Sequence, residues 1–273
     1  MAERRDEVKW LHRKSSVRSS EGMLDSMLAL ELFEAVRYRP RCDTSFMTKP
    51  ATNAEVYAGL RAEMIALADS LSCAEADLKV PQSPDWSISD VVAHVVGIVD
   101  DILSDNLAAI GTNEWTAVHV STRADKTLNE ICDEWSLAAP RFDALGDANP
   151  VWPMRAGADL ITHYHDVNQA LGRQGNRDTA AVRMGLERYG PFFCERARNA
   201  GLPVVRVDAG EQVWKSGDGE PVAVVTGSPF DLLRAFSGRR SVAQILAMNW
   251  IGDAEPYVSV VSPYGLPDED VVE

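Results

Sequence analysis

The sequence has few cysteines, no long hydrophobic run and a deficit of positive charge, and each feature excludes a class of protein. Its four cysteines are scattered, with no pair at the spacing of a metal or redox motif, which indicates free thiols in a reducing cytoplasm: Cys42, Cys73, Cys132 and Cys194. The longest apolar run, residues 91–99, is interrupted by His94 and Gly97. It is much shorter than the roughly 20 residues of a transmembrane helix, so we expect no membrane span. A formal net charge of -14 argues against nucleic acid and anionic membranes as partners.

Residues 1–50 differ from the rest of the chain. They mix both signs of charge, show little apolar periodicity, and lack the apolar core and small-residue cleavage site of a secretory signal. We expect an extension that is either disordered or never made, because translation could begin at Met47 instead.

Residues 51–175 have the pattern of a helical bundle. Three capping boxes, each a hydroxyl residue followed three positions later by Glu or Asp, precede apolar residues at helical spacing and start at Thr52, Ser87 and Thr127. A fourth helix is predicted over residues 155–171, ending at Gly172. Four amphipathic helices of this length predict a four-helix bundle.

After residue 175 the pattern predicts a small α+β domain, which we place at residues 176–265. A helix is predicted over residues 179–199, and helical stretches follow at residues 229–236 and 242–248. Short β-type runs separated by glycine-containing turns lie at residues 204–207, 212–215, 222–226 and 257–261. Residues 266–273 form an acidic tail. The predicted fold class is α+β overall, with two domains.

Asp159 and His163 form the most informative pair in the sequence. They lie four residues apart in the predicted fourth helix, so their side chains share one face. A carboxylate and an imidazole so placed can bind one metal ion, and His94, in the apolar second helix, would supply a third ligand. Three protein ligands leave coordination positions open, which is typical of a catalytic metal site.

These residues also have an interpretation without a metal. A lone histidine on an apolar helix face is more often a core residue than a ligand, and His94 would then not meet Asp159 and His163. However, a buried carboxylate without a partner is unfavourable, and a metal ion is a natural partner, so we favour the metal site. Asp166, one turn from His163, is either a carboxylate that orients a ligand or a solvated helix charge.

The remaining polar candidates are weaker. His165 points away from the ligand face of its helix, and we expect it at the surface or next to the ligands. Arg239 could hold an acidic substrate, because a guanidinium binds a carboxylate through two parallel hydrogen bonds, but a solvated surface residue is the default. His12 and His119 have no partners at useful spacing, and we assign them no role.

Three ordered motifs resemble the mycothiol-dependent maleylpyruvate isomerase family. They are WSISDVVAH at residues 86–94, DLITHYHDVNQALG at residues 159–172 and FDLLRAFSGR at residues 230–239. The resemblance extends over residues 52–262. It implies a DinB-like metal-binding helix bundle followed by a small α+β domain similar to sterol-carrier folds.

The resemblance also implies a set of site residues. A divalent metal, usually zinc in this family, would be bound by His94, Asp159 and His163, although many members have Glu at the position of Asp159. Arg239 would help to bind an acidic substrate, and mycothiol, a low-molecular-weight thiol, would be the co-substrate. A coordinated thiol loses its proton, and the thiolate can add to a cis double bond, permit rotation and leave. A related S-transferase would stop at the conjugate.

We therefore expect a cytoplasmic, metal-dependent enzyme that uses mycothiol or a similar thiol. It would act as an isomerase or S-transferase on a small, acidic electrophile such as a maleylpyruvate-like compound. Two alternatives stay open: a non-catalytic protein of this fold that binds a ligand or metal, and a metal-dependent hydrolase in which bound water is the nucleophile.

Overall fold

The structure is a computed structural model that describes residues 50–273. The predicted extension therefore lies outside the described residues, apart from Pro50, and so do Cys42 and the alternative start at Met47. The first part of the described chain contains six helices and one short hairpin, in the order α1 (Asn53–Asp69), α2 (Cys73–Ala76), β1 (Lys79–Val80), β2 (Ser83–Ser87), α3 (Ile88–Ser104), α4 (Asn113–Ser121), α5 (Leu128–Ala148) and α6 (Val151–Ala170).

All three predicted capping boxes are confirmed. Thr52, Ser87 and Thr127 each accept a hydrogen bond from the third backbone N–H of the following helix, and the acidic residue there accepts one from the cap backbone. The predicted fourth helix, α6, begins one turn earlier than expected. Pro153 lies in its first turn, where the missing N–H of proline breaks no helical hydrogen bond.

The four long helices pack as a bundle, which confirms that part of the prediction. α1 contacts α5 and α6, and α3 contacts the same two helices from the other side, so the cyclic order is α1, α6, α3, α5. α3 is buried all round over residues 91–99, because every residue of this stretch except His94 is apolar, and this stretch lies in the core. His94 therefore lies on the most buried helix of the bundle.

α4 was not predicted. Only Trp115 and His119 in it are buried, so the segment lacks the continuous apolar stripe by which a helix is recognised. The two residues lie one turn apart and dock α4 against α3.

The rest of the described chain is mixed helix and sheet, which confirms the α+β class. Its elements are α7 (Ala180–Asn199), β3 (Val205–Ala209), β4 (Gln212–Lys215), β5 (Ala223–Thr226), α8 (Pro229–Phe236), α9 (Val242–Leu246), β6 (Asn249–Ile251) and a 3₁₀ helix (Glu255–Val260). The four strands form one sheet in the order β4, β3, β5, β6, in which β3 and β5 are parallel and the other pairs antiparallel.

The strand predicted at residues 257–261 is wrong. That segment forms the 3₁₀ helix, with Pro256 in its first turn, and β6 at Asn249–Ile251 supplies the edge strand instead. The apolar character of the segment comes from Tyr257, which is buried, stacks on Trp250 with ring centroids 5.9 Å apart, and donates a hydrogen bond to the Pro203 carbonyl at 3.0 Å. The segment was predicted as a strand because of its apolar residues, but of the residues in the 3₁₀ helix it is Tyr257 that is buried.

The division into domains near residue 175 stays a prediction. The predicted boundary falls in the connection between α6 and α7, but α7 packs against α6, α1 and the sheet, and the contacts group residues 50–273 in one compact unit. The predicted acidic tail packs against this unit through Glu273, whose carboxylate contacts Arg234 and Arg240.

Membrane-spanning helices and disulfide bonds can be assessed for residues 50–273. None of their helices has the length and apolar character needed to cross a bilayer. The three cysteines in this part of the chain are free thiols.

Candidate metal centre

α3 and α6 bring His94, Asp159 and His163 together inside the bundle. Nε2 of His94 lies 3.6 Å from Oδ2 of Asp159, Nε2 of His163 lies 3.9 Å from the same oxygen, and ligand atoms of all three residues lie within 4.8 Å of one another. The interpretation of His94 as an isolated core histidine is therefore wrong, because the three side chains converge as the spacing predicts.

The distances fit a shared metal ion better than direct hydrogen bonds. A gap of 3.6 Å is too long for a hydrogen bond. Ligand atoms ~2.1 Å from a tetrahedral zinc would be roughly 3.4 Å apart, which is close to the two shorter separations. Moreover, Oδ2 of Asp159 is buried with no hydrogen-bond partner anywhere in residues 50–273, and an unpaired buried carboxylate oxygen is unfavourable. Two imidazole nitrogens and a carboxylate oxygen suit zinc and similar divalent metals.

Neighbouring positive charge keeps Asp159 ionised, and burial favours the neutral form of His94. Burial opposes ionisation of Asp159, but His163, His94 and Arg239 together outweigh it and lower the pKa of Asp159 to about 2. Burial also lowers the pKa of His94, against the opposing effect of Asp159. These are the protonation states that a metal ligand requires. The Asp159 side chain is 26% exposed although its Oδ2 is buried, so the triad lies near the surface on this side.

Asp166 lies on the far side of His163 and is completely buried, so it is not a solvated helix charge. Its Oδ2 is 3.2 Å from Nδ1 of His163, in ion-pair range. Its two oxygens also accept hydrogen bonds from Arg234 at 2.6 Å and Arg239 at 2.9 Å. Burial would raise the pKa of Asp166, but Arg239, Arg234 and His163 hold it well below its usual range.

Arg239 is buried rather than solvated at the surface, so that alternative is wrong. It donates to Asp166 and, at 2.6 Å, to the carbonyl of Ser237. Its Nε is buried and has no hydrogen-bond partner within the described part of the chain. Arg239 thus lies between the α+β elements and the triad, and its charge acts on both Asp159 and Asp166.

Arg234 is a member of this cluster that sequence reasoning missed. It is completely buried and donates to Asp166, to Glu273 and, at 2.9 Å, to the carbonyl of Thr162 on α6. The sequence places it between apolar residues of α8, where an arginine is normally expected to face solvent. Its buried carboxylate partners lie far away in the sequence, so no local pattern indicated them.

His119 was also missed, and it contacts the triad directly. Nδ1 of His119 lies 3.1 Å from Nδ1 of His94, and its Nε2 lies 2.9 Å from Oδ2 of Asp101. No local pattern indicates this contact, because His119 is 25 residues from His94 and lies on α4, the helix that was not predicted.

The other candidates lie to the sides of the triad. His165 is buried, which corrects the expectation of a surface position, and its ring packs on Phe230 at 4.8 Å. Burial, together with the charge of Arg234, lowers its pKa to about 4. Trp86 packs beside two residues of the triad, since its ring centroid lies 5.1 Å from that of His94 and 6.4 Å from that of His163. A cleft of about 360 Å³ borders Trp86 on the side of β2 and α4.

Comparison with known proteins gives one sequence family and two structural neighbours. The profile of the mycothiol maleylpyruvate isomerase N-terminal domain matches residues 57–164, which include all three triad residues. Two crystal structures of mycothiol-dependent maleylpyruvate isomerase, one of them a histidine-to-alanine mutant, align with TM-scores of 0.44 and 0.45 at 12% and 11% identity. Each alignment covers 68% of this chain and 88% of the other. No curated protein sequence matches the chain.

Proposed function

Since residues 57–164 belong to the mycothiol maleylpyruvate isomerase N-terminal domain family, we propose that this protein is a metal-dependent enzyme that uses a small thiol. The thiol is mycothiol or a close equivalent, and the substrate is a small electrophile that carries a carboxylate, such as a maleylpyruvate-like compound. The reaction is isomerisation of a double bond or transfer of the thiol to the substrate.

The observation that supports this proposal most strongly is the convergence of His94, Asp159 and His163. In the proposal these residues hold one divalent metal, with zinc as the first choice for a set of two nitrogens and one oxygen. A metal bound there would act as a Lewis acid and lower the pKa of a coordinated thiol. In the proposal the thiol and the substrate approach from the side on which Asp159 is partly exposed.

Asp166 and its arginine partners position one side of the site. Asp166 faces Nδ1 of His163, and this leaves Nε2 of His163 directed towards Asp159. A carboxylate behind a ligating histidine orients its ring. Arg234 and Arg239 keep this carboxylate ionised in a buried position.

Arg239 is our proposed contact for the acidic group of the substrate. Two of its nitrogens already donate to Asp166 and to the Ser237 carbonyl, while its Nε has no partner among residues 50–273. A substrate carboxylate that reached Nε would satisfy this donor and would be held close to the triad. We place the activity in the cytoplasm, where small thiols are kept reduced and where the three free cysteines of the described chain would be stable.

The test is thiol-dependent turnover by the zinc-loaded protein. We expect conversion of a cis-alkenyl keto acid only when both mycothiol and zinc are supplied, and we expect His163→Ala to abolish it. His165→Ala is the matched control, because it removes a histidine of the same helix that packs on Phe230 rather than on the triad. Turnover without any thiol would replace this proposal with a hydrolase, and activity of His163→Ala equal to that of the wild type would refute it.

A further inference from the structure

A line of three side chains runs outward from the candidate metal centre, from His94 on α3 through His119 on α4 to the half-buried Asp101 on α3. Asp101 Oδ2 accepts from His119 Nε2 at 2.9 Å, and His119 Nδ1 lies 3.1 Å from His94 Nδ1. His94 and His119 are 4% and 3% exposed, so the contact between the two rings is shielded from water. The remaining ring nitrogen of His94, Nε2, is the atom that faces Asp159.

A glycine on α3 makes room for the His119 ring in this line. Positions 94, 97 and 101 share one face of α3, and Gly97 lies between the two polar residues. A Cβ on Gly97 would lie 2.3 Å from the His119 ring, so only glycine leaves room for the imidazole against the helix. Trp115 packs edge-on against His119 with ring centroids 4.2 Å apart, and it also contacts His94.

The hydrogen-bonding capacity of each group decides where the protons lie. An ionised Asp101 can only accept, so His119 Nε2 must carry a proton. If His119 carries only this proton, its Nδ1 is a lone-pair acceptor, and the 3.1 Å contact is then a hydrogen bond donated by His94 Nδ1. His94 consequently carries its proton on Nδ1, and its Nε2 presents a lone pair towards Asp159 and His163.

We propose that Asp101 and His119 are positioning residues that fix His94 in the tautomer whose Nε2 can bind a metal. The inference rests on the proposed function, because it takes the triad to be a metal site. The two ligating histidines would then be oriented by different means. Asp166 stands directly behind His163, whereas a second histidine links His94 to its carboxylate. Partners behind metal ligands typically contribute 10- to 100-fold to metal affinity.

Two substitutions of similar size separate positioning from packing. His119→Asn places an amide oxygen near the former Nδ1 and can still accept the His94 proton, whereas His119→Leu fills the same space without an acceptor. We expect zinc affinity, measured by competition with a chromophoric chelator, to fall about 10- to 100-fold in His119→Leu and to be largely retained in His119→Asn. Asp100→Asn, at the neighbouring α3 position that pairs with Arg123, is the control and should bind as the wild type does.

Nitrogen-15 NMR of the metal-free protein provides a measurement that does not depend on metal binding. The sequence has five histidines, so the signals of His94 can be assigned by their loss in His94→Gln. We expect His94 to be protonated on Nδ1 in the wild type and in His119→Asn, and to become a mixture of tautomers in His119→Leu.

The outcomes distinguish the two proposals. A wild type that binds no zinc but holds His94 protonated on Nδ1 refutes the proposed function and leaves the tautomer assignment intact. A His94 protonated on Nε2 in the wild type overturns the inference. Equal zinc affinity in the Leu and Asn variants overturns it as well, because the contact would then be one of packing only.

Discussion

Asp166 is a completely buried carboxylate that is paired with two arginines. Replacing it with asparagine tests how much this buried ion-pair cluster stabilises the fold. The carboxylate is completely buried and accepts from Arg234 at 2.6 Å and from Arg239 at 2.9 Å. Asparagine keeps the shape but loses the charge, and it turns an N–H group towards one of the two guanidinium groups. Removing one partner from a buried ion pair costs about 3–5 kcal/mol.

For Asp166→Asn, the loss in free energy of unfolding should lie near the lower end of that range. Arg234 retains a contact with Glu273 and a hydrogen bond to the Thr162 carbonyl at 2.9 Å, so it is not left without acceptors. Arg239 retains only the Ser237 carbonyl among the partners in the described chain. We expect Asp166→Asn to lower the free energy of unfolding by about 3 kcal/mol. With an m value of about 3 kcal/mol/M, the urea midpoint would fall by about 1 M.

The matched control is Asp178→Asn. Asp178 also pairs with an arginine, Arg183, but its side chain is 88% exposed, and exposed ion pairs contribute little. We expect its urea midpoint to stay close to that of the wild type. If both variants lose the same small amount, below about 0.5 kcal/mol, the buried cluster does not stabilise the fold as we infer.

Three further predictions concern the tail, the close helix contact and the triad. Glu273→Gln should lower the free energy of unfolding by about 1–2 kcal/mol in a urea titration, since Arg234 loses one of two carboxylates, and an unchanged midpoint would mean that the tail is not docked in solution. Gly97→Ala should weaken zinc binding at least tenfold by chelator competition because its methyl group displaces His119, and wild-type affinity would show that His119 can move at no cost. Asp159→Asn should lose zinc in the same assay, whereas Asp159→Glu should keep it, and zinc retained by the asparagine variant would exclude the carboxylate as a ligand.

Three of the correctly predicted helices carry two independent local signals. α1, α3 and α5 each combine a capping box with an apolar stripe, and both signals depend only on neighbours in the sequence. α4 has no such stripe and is placed by two residues that dock on α3. Its existence depends on tertiary contacts, which a single sequence does not display.

The two ligands on one helix could be predicted, and the third could be proposed, but the residues behind them could not. Asp159 and His163 are linked by the helical repeat. His119 and Arg234 reach the site across 25 and 68 or more positions of sequence, through packing of separate helices. The resemblance placed Arg239 in the site. Its burial could not be predicted, because Arg239 is paired with Asp166, and no sequence pattern indicated that Asp166 is completely buried.

The most direct test of the account is the zinc content of the purified protein, measured by mass spectrometry beside His163→Ala and the control His165→Ala. We predict close to one zinc per chain in the wild type and in the control, and almost none in His163→Ala. Little zinc in all three proteins after zinc has been supplied, or equal zinc in all three, would contradict the assignment of His94, Asp159 and His163 as a metal centre.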